Sequence, residues 1–166
     1  MRHIILRTLK KIIILCIMIS SVISCGTSKT VKESKKVIKG DWILNNITFS
    51  EYGTFKVIFF NDAAKNCLEG STWQFIPNNN TGKYTITNDS CLQGERNFIF
   101  TIQEVNFETG LYDFLLKPTN EKNKSEDNKG YRIKLAQLTE NNMVWEQTAS
   151  IDGKNIKINM NFTKTN

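Results

Sequence analysis

The chain contains a single histidine, His3, and no imidazole occurs after it. That absence removes from the body of the protein the commonest general base, any Ser-His-Asp triad and every histidine metal ligand. Proline is almost missing as well: Pro77 and Pro118 are the only two, and each lies at the end of an apolar run, where a lost amide donor costs little. None of the nine glycines forms a phosphate-cradling loop. Apolar runs are short. The longest, Ile12 to Ile19, reaches Ile23 only through Ser20 and Ser21 and falls short of the ~20 residues a spanning helix needs. Beyond residue 39 no stretch repeats at 3.6 for long enough to form a helix, apart from one turn at Asp62 to Asn66.

What is present first is an export layout. Arg2, Arg7, Lys10 and Lys11 precede the apolar run with no acid among them, as in a secretory signal. The run closes on Val22-Ile23-Ser24-Cys25, which resembles the lipobox of bacterial lipoproteins, with Val in place of the usual Leu and Ser in place of Gly or Ala. The resemblance implies cleavage after residue 24 and a diacylglyceride (palmitate-type chains) on Cys25. The alternative is an ordinary signal peptide cut near a cysteine. Two or three acyl chains on one residue are enough for stable anchoring. Gly26, not Asp, follows the cysteine, which within the resemblance favours the outer membrane. Residues 26–39 lack the acidic run of surface-exposed lipoproteins, which favours the periplasmic face.

The +6 charge of the chain belongs to its N-terminal part. Of the 22 Lys and Arg, four lie in the first 24 residues and five between 26 and 39, leaving 13 against 15 acids from Gly40 onward. The body is nearly neutral, so the basic pI gives no reason to expect a nucleic-acid partner. Three parts are expected: a signal at 1–24, a lipidated cysteine with a flexible basic tether at 25–39, and one domain at 40–166. The tether reads as solvated linker beside anionic lipid.

The domain alternates with period two almost throughout. Trp42 and Leu44 alternate with Asp41 and Asn45, Trp73 and Phe75 with Thr72 and Gln74, Tyr84 and Ile86 with Lys83, Thr85 and Thr87, and Phe98, Phe100 and Ile102 with Asn97, Thr101 and Gln103. So do Tyr131, Ile133 and Leu135, and Ile156, Ile158, Met160 and Phe162. Each run predicts a strand with one wet face. Thr54 to Phe60, Leu111 to Lys117 and Met143 to Thr148 complete nine. Asp152-Gly153 is a two-residue hairpin signal, and Glu108 to Gly110, Thr139 to Asn142 and Asn78 to Gly82 mark further turns. Glu95, Glu104, Asp113 and Glu146 alternate mostly onto the wet face. No catalytic residue, metal site or cofactor is therefore assigned, and an enzyme is not expected.

With Cys16 in the signal and Cys25 lipidated, Cys67 and Cys91 remain as an even pair in an oxidising compartment, which predicts a disulfide; two free buried thiols are the alternative. In an antiparallel meander their connections, near 61–70 and 88–94, fall at one end, as a bond requires. The longest connection, Pro118 to Gly130, falls there too and is a solvated cover or a binding element.

Such a meander of eight or nine strands closes into an all-β, up-and-down antiparallel barrel, which removes its edges. Gly40-Asp41-Trp42 resembles the Gly-x-Trp motif that opens lipocalins. Gly53-Thr54-Phe55-Lys56, Gly94-Glu95-Arg96-Asn97-Phe98 and Met143-Val144-Trp145-Glu146 are similar to lipocalin-like lipoproteins of the Bacteroidetes. The chain departs from lipocalins in offering only Lys157 and Lys164 where the last strand usually carries an arginine against that tryptophan, and in lacking the Thr-Asp-Tyr motif. Its first connection, Ser50 to Gly53, also reads as short, with the long loops at the tether's end. The resemblance implies a small apolar or amphipathic ligand, with Trp73, Phe75, Phe98, Phe100, Tyr112, Phe114 and Tyr131 as candidates to line its cavity. The same aromatics could instead fill the barrel, leaving an accessory envelope protein that works through a protein partner.

Overall fold

The computed structural model describes residues 29–106 and 108–165, so the signal, the lipobox and Cys25 lie outside the described residues. Eight strands form the closed antiparallel barrel: β1 (Gly40–Phe49), β4 (Thr72–Ile76), β5 (Thr81–Ile86), β6 (Gly94–Val105), β7 (Tyr112–Thr119), β8 (Tyr131–Leu138), β9 (Asn142–Ile151) and β10 (Lys154–Lys164). Consecutive strands pair as a meander, and β1 closes the ring by pairing with both β10 and β4. The inward residues are those the alternation selects. Trp42, Trp73, Phe75, Tyr84, Phe98, Phe100, Phe114, Trp145 and Phe162 are all sealed from solvent. In β1 a bulge between Leu44 and Asn46 shifts the alternation, so that Ile47 points inward with Trp42 and Leu44.

The interior is packed ring on ring. Trp73 stacks on Tyr84 at 4.4 Å between centroids and meets Trp145 and Phe162 edge-on at 5.2 and 5.7 Å. Trp145 in turn contacts Phe75, Phe114 and Phe162 at 5.7, 5.1 and 4.6 Å. Gly82 makes room for this packing: a Cβ there would stand 2.3 Å from the Phe98 ring and 2.6 Å from the Gln74 carbonyl oxygen. At β9–β10, Asp152 and Gly153 both have positive φ, 50° and 76°, the two-residue hairpin that the sequence signals.

Thr54 to Phe60 is not a barrel strand. Its end forms β2 (Ile58–Phe59), which pairs only with β3 (Ala63–Ala64), and the short helix α2 (Lys65–Leu68) follows. The apolar residues of this stretch cover the barrel instead of crossing it: Phe59, Phe60, Ala63 and Leu68 all join the core. The barrel thus has eight strands, and its first connection is the long excursion 50–71. Removing one crossing reverses the parity relative to the N-terminus. The disulfide loops and the 120–130 connection remain at one end, but that end is opposite the N-terminal segment, not shared with it.

Residues 29–38, expected to be flexible tether, form helix α1 (Lys29–Ile38). Val31, Ser34 and Ile38 recur at i, i+3 and i+7, which puts them on one face. Val31 is 4% exposed and Ile38 1%. The helix lies across the end of the barrel where β1 begins. Ser34 Oγ donates to the Gly110 carbonyl (2.8 Å) and Lys35 Nζ to Asn80 Oδ1 (3.0 Å), bonds that reach two separate turns of that end. We call this the helix end and the opposite one the loop end.

Candidate binding site at the loop end

The helix end is closed around Trp42. Its indole Nε1 donates to the Ile38 carbonyl at 2.8 Å, and Lys164 Nζ stands 5.2 Å from the centre of its ring while donating to the Val37 carbonyl at 2.7 Å. The last strand therefore does place a cation on the tryptophan, and the cation is a lysine.

The loop end is built from the 50–71 excursion. Between β2 and β3 the chain turns through Phe60 and Asn61, both at positive φ (55° and 58°), with Asp62 N donating to the Phe59 carbonyl at 2.9 Å. A left-handed Phe is sterically costly, and what holds it is its ring. Phe60 drops into the barrel mouth, edge-on to Tyr131 (5.4 Å, 89°) and to Trp73 (5.8 Å). Asp62, two residues on, latches the turn. Its carboxylate accepts from Tyr84 Oη at 2.8 Å and pairs with Arg96 Nε at 3.2 Å. The two remaining Arg96 nitrogens donate to the Gly94 and Leu92 carbonyls, both at 2.7 Å, so this guanidinium is committed to structure. The Cys67–Cys91 disulfide, with Cα atoms 5.7 Å apart, ties the excursion to the 87–93 connection.

Above Phe60 lies an open cleft of about 270 Å³. Phe60, Tyr84 and Tyr131 form its aromatic part, Asn97 and Thr119 come from β6 and β7, and Glu126 and Asp127 come from the 120–130 connection. Thr119 Oγ1 is buried and has no hydrogen-bond partner among the described residues. Burial, and then the charge of Asp127, raise the Tyr131 hydroxyl's pKa. Asp127 itself is held below the usual carboxylate range, first by the Lys129 backbone N–H. Lys129 Nζ also pairs with the Asp127 carboxylate at 3.6 Å, so among the cleft's charged side chains Arg96 offsets Asp62 and Lys129 offsets Asp127, leaving Glu126.

The seven sequence-selected aromatics divide between core and mouth. Trp73, Phe75, Phe98, Phe100, Tyr112 and Phe114 are buried against one another or their neighbours, and Tyr131, half-buried, is the one of them in the mouth cleft. Tyr112 also borders a second open cleft near the helix end, beside Leu111 and Lys134. Asp62, Arg96 and Thr119 were not among the selected residues. Arg96 stands inside the Gly94–Phe98 motif, but nothing in the spacing foretells that Asp62 would reach it across 34 positions. The strand carboxylates face water in ion pairs: Glu95 with Lys83 (2.7 Å), Asp113 with Arg132 (3.9 Å), and Glu146 with Lys157 and Lys134 (3.5 and 3.8 Å). The Glu104 side chain lies outside the described residues.

No family model matches the chain, and no curated protein matches it in sequence. Among solved structures it is similar to a lipocalin-like protein from Bacteroides uniformis, with 9% sequence identity and a TM-score of 0.48 over 78% of this chain and 99% of that one.

Proposed function

We infer that the protein is a non-enzymatic binding barrel of the bacterial cell envelope, an outer-membrane lipoprotein acylated at Cys25 on the periplasmic face, which takes a small amphipathic ligand at its loop end. One observation carries the binding reading: the mouth cleft joins an aromatic floor, Phe60 and Tyr131, to a buried hydroxyl with no partner, Thr119 Oγ1. Its size sets the ligand class. At about 270 Å³ it lies at the lower edge of small-molecule sites, so it suits a ring or a short chain, not a long acyl group. Glu126 at the rim disfavours a carboxylate head and favours a neutral or cationic one, the Asp127 charge being offset by Lys129.

The test is a titration followed by tryptophan fluorescence, since Trp73 touches Phe60. Octylamine is expected to give a saturable change and octanoate a much weaker one. Thr119→Trp, which fills the cleft, is expected to abolish it. A change that never saturates, or one unaffected by Thr119→Trp, overturns the site. Globomycin-sensitive processing, with an acyl mass on Cys25, tests the anchor. A second reading rests on Tyr52, Ile58 and Leu92, which stand 106%, 60% and 82% exposed in the loops of the same end. An apolar rim of this kind suits a protein partner, and alanine at all three positions would then abolish the partner's capture and spare octylamine.

A further inference from the structure

We propose that the outer face of helix α1 is a docking surface for anionic phospholipid, which stands the barrel on the membrane with its mouth facing away. Residues 29–39 carry five lysines, Lys29, Lys32, Lys35, Lys36 and Lys39, against Glu33 alone. The structure divides their work. Lys35 is turned to the barrel, where it bonds Asn80, while Lys32, Lys36 and Lys39 are exposed. Glu33 meets Lys36 at 2.9 Å, in an exposed pair that water and salt weaken.

The apolar face of the helix is already used. Val31 and Ile38 are buried against the barrel, so the helix has no hydrophobic side left to sink into a bilayer. What it offers is charge on a rigid support, fixed at Gly110, at Asn80 and through Lys164 and Trp42. The complementary surface is a layer of anionic headgroups, each nearby lysine raising occupancy roughly fivefold. The chain outside the structure supplies the reason for choosing lipid over another polyanion. The helix begins at Lys29, and Cys25 stands only four residues earlier, a reach of on the order of 14 Å even when extended. Any acyl group on Cys25 therefore delivers this face to the bilayer first, and here the inference rests on the lipoprotein reading. Strands of eight to twelve residues, tilted as closed barrels require, then hold the mouth on the order of 20–30 Å from the headgroups. There the cleft and the exposed Tyr52, Ile58 and Leu92 are free to meet ligand or partner.

The experiment is lysine acetylation with a water-soluble reagent, read by mass spectrometry on the full protein bound to two kinds of vesicle. On phosphatidylglycerol-containing vesicles, labelling of Lys32, Lys36 and Lys39 is expected to fall at least fivefold, with Lys56, Lys122 and Lys124 at the loop end unchanged. On phosphatidylcholine vesicles, and on the anionic ones at 0.5 M salt, the protection is expected to vanish. Equal protection on both vesicles overturns the headgroup surface. Protection at Lys122 and Lys124 overturns the orientation. The same spectra report the Cys25 mass, which separates the two readings. Protected lysines with an unmodified Cys25 keep the surface and discard the lipid anchor; an acylated Cys25 with unprotected lysines does the reverse.

Discussion

The two ends of the barrel are closed by the same means and finished differently. At the helix end the stopper is Ile38, delivered by a helix continuous with β1 and fixed by bonds to Gly110, Asn80 and Trp42. At the loop end the stopper is Phe60, held in a left-handed turn by an aspartate latch and a disulfide. The helix end commits Ser34, Lys35, Trp42 and Lys164 to bonds across it, and leaves the buried Tyr112 hydroxyl, beside its own open cleft, without a partner among the described residues. The loop end keeps an unpartnered Thr119 hydroxyl, two rim carboxylates and three exposed apolar side chains. The difference lies in what each end exposes: lysines on the outer face of a fixed helix at one, an aromatic cleft with apolar side chains around it at the other.

The comparison breaks most visibly at its best-packed member. Trp42→Ala is expected to cost about 3–5 kcal/mol, measured by urea unfolding, because it removes a fully buried indole and leaves the Ile38 carbonyl and Lys164 without their shared partner. Exchange of the α1 amides should rise with it. A loss under 1 kcal/mol, with α1 still protected, would show that the helix end does not depend on this ring.

At the other end, replacing both Cys67 and Cys91 with Ala is expected to cost about 3 kcal/mol, from the entropy of a loop 24 positions long. Calorimetry reads the total, and hydrogen exchange locates it. Amides of 50–71 should open while those of α1 stay closed. Uniform loosening would mean that the two ends are coupled through the aromatic core, and the division between them would fail.

Much of this fold is legible in the residues. Period-two alternation marks six of the eight barrel strands, the runs Leu111 to Lys117 and Met143 to Thr148 supply the other two, and meander parity puts Cys67 and Cys91 at one end, where they are bonded. Two segments misled for the same reason, that apolar content alone does not say what it will cover. Thr54 to Phe60 has the composition of a strand, but its side chains lie over the mouth, which no local pattern announces. Lys29–Ile38 reads as linker because four lysines against one acid have the composition of a solvated segment. The spacing of Val31, Ser34 and Ile38 was the available signal, and it has value only once there is a barrel end to receive it. At the site, Tyr131 was visible as an aromatic on a strand. Asp62 was not, since its role depends on Tyr84 and Arg96 arriving from other strands.

Alkali separates the ends chemically. Burial raises the pKa of both Tyr84 and Tyr112, and for Tyr84 the charge and hydrogen bond of Asp62 add to it. A raised folded-state pKa means that the associated stability is complete below about pH 10, the unfolded value, and is lost as the pH rises above it. Each tyrosine should therefore remove up to about 1.4 kcal/mol per pH unit from pH 10 upward, followed by urea unfolding from pH 8 to 11.5. Tyr84→Phe should flatten the profile but weaken the Asp62 latch at neutral pH. Tyr112→Phe should flatten it at almost no cost, since the Tyr112 hydroxyl has no partner among the described residues.

The smallest effect tests the finest point of the comparison, whether the lysine over Trp42 is a working part or a surface charge in passing. Lys164 is half-buried and makes two contacts at once, the ring at 5.2 Å and the Val37 carbonyl at 2.7 Å. Lys164→Met keeps the aliphatic stem and removes both, so the expected loss is about 1 kcal/mol. Lys164→Arg should restore it or slightly exceed it, because a guanidinium stacks on an indole and still donates to the carbonyl. If Met proves neutral and Arg adds nothing, α1 is held by Val31 and Ile38 alone, and the helix end is a hydrophobic cap whose polar bonds follow its position without fixing it.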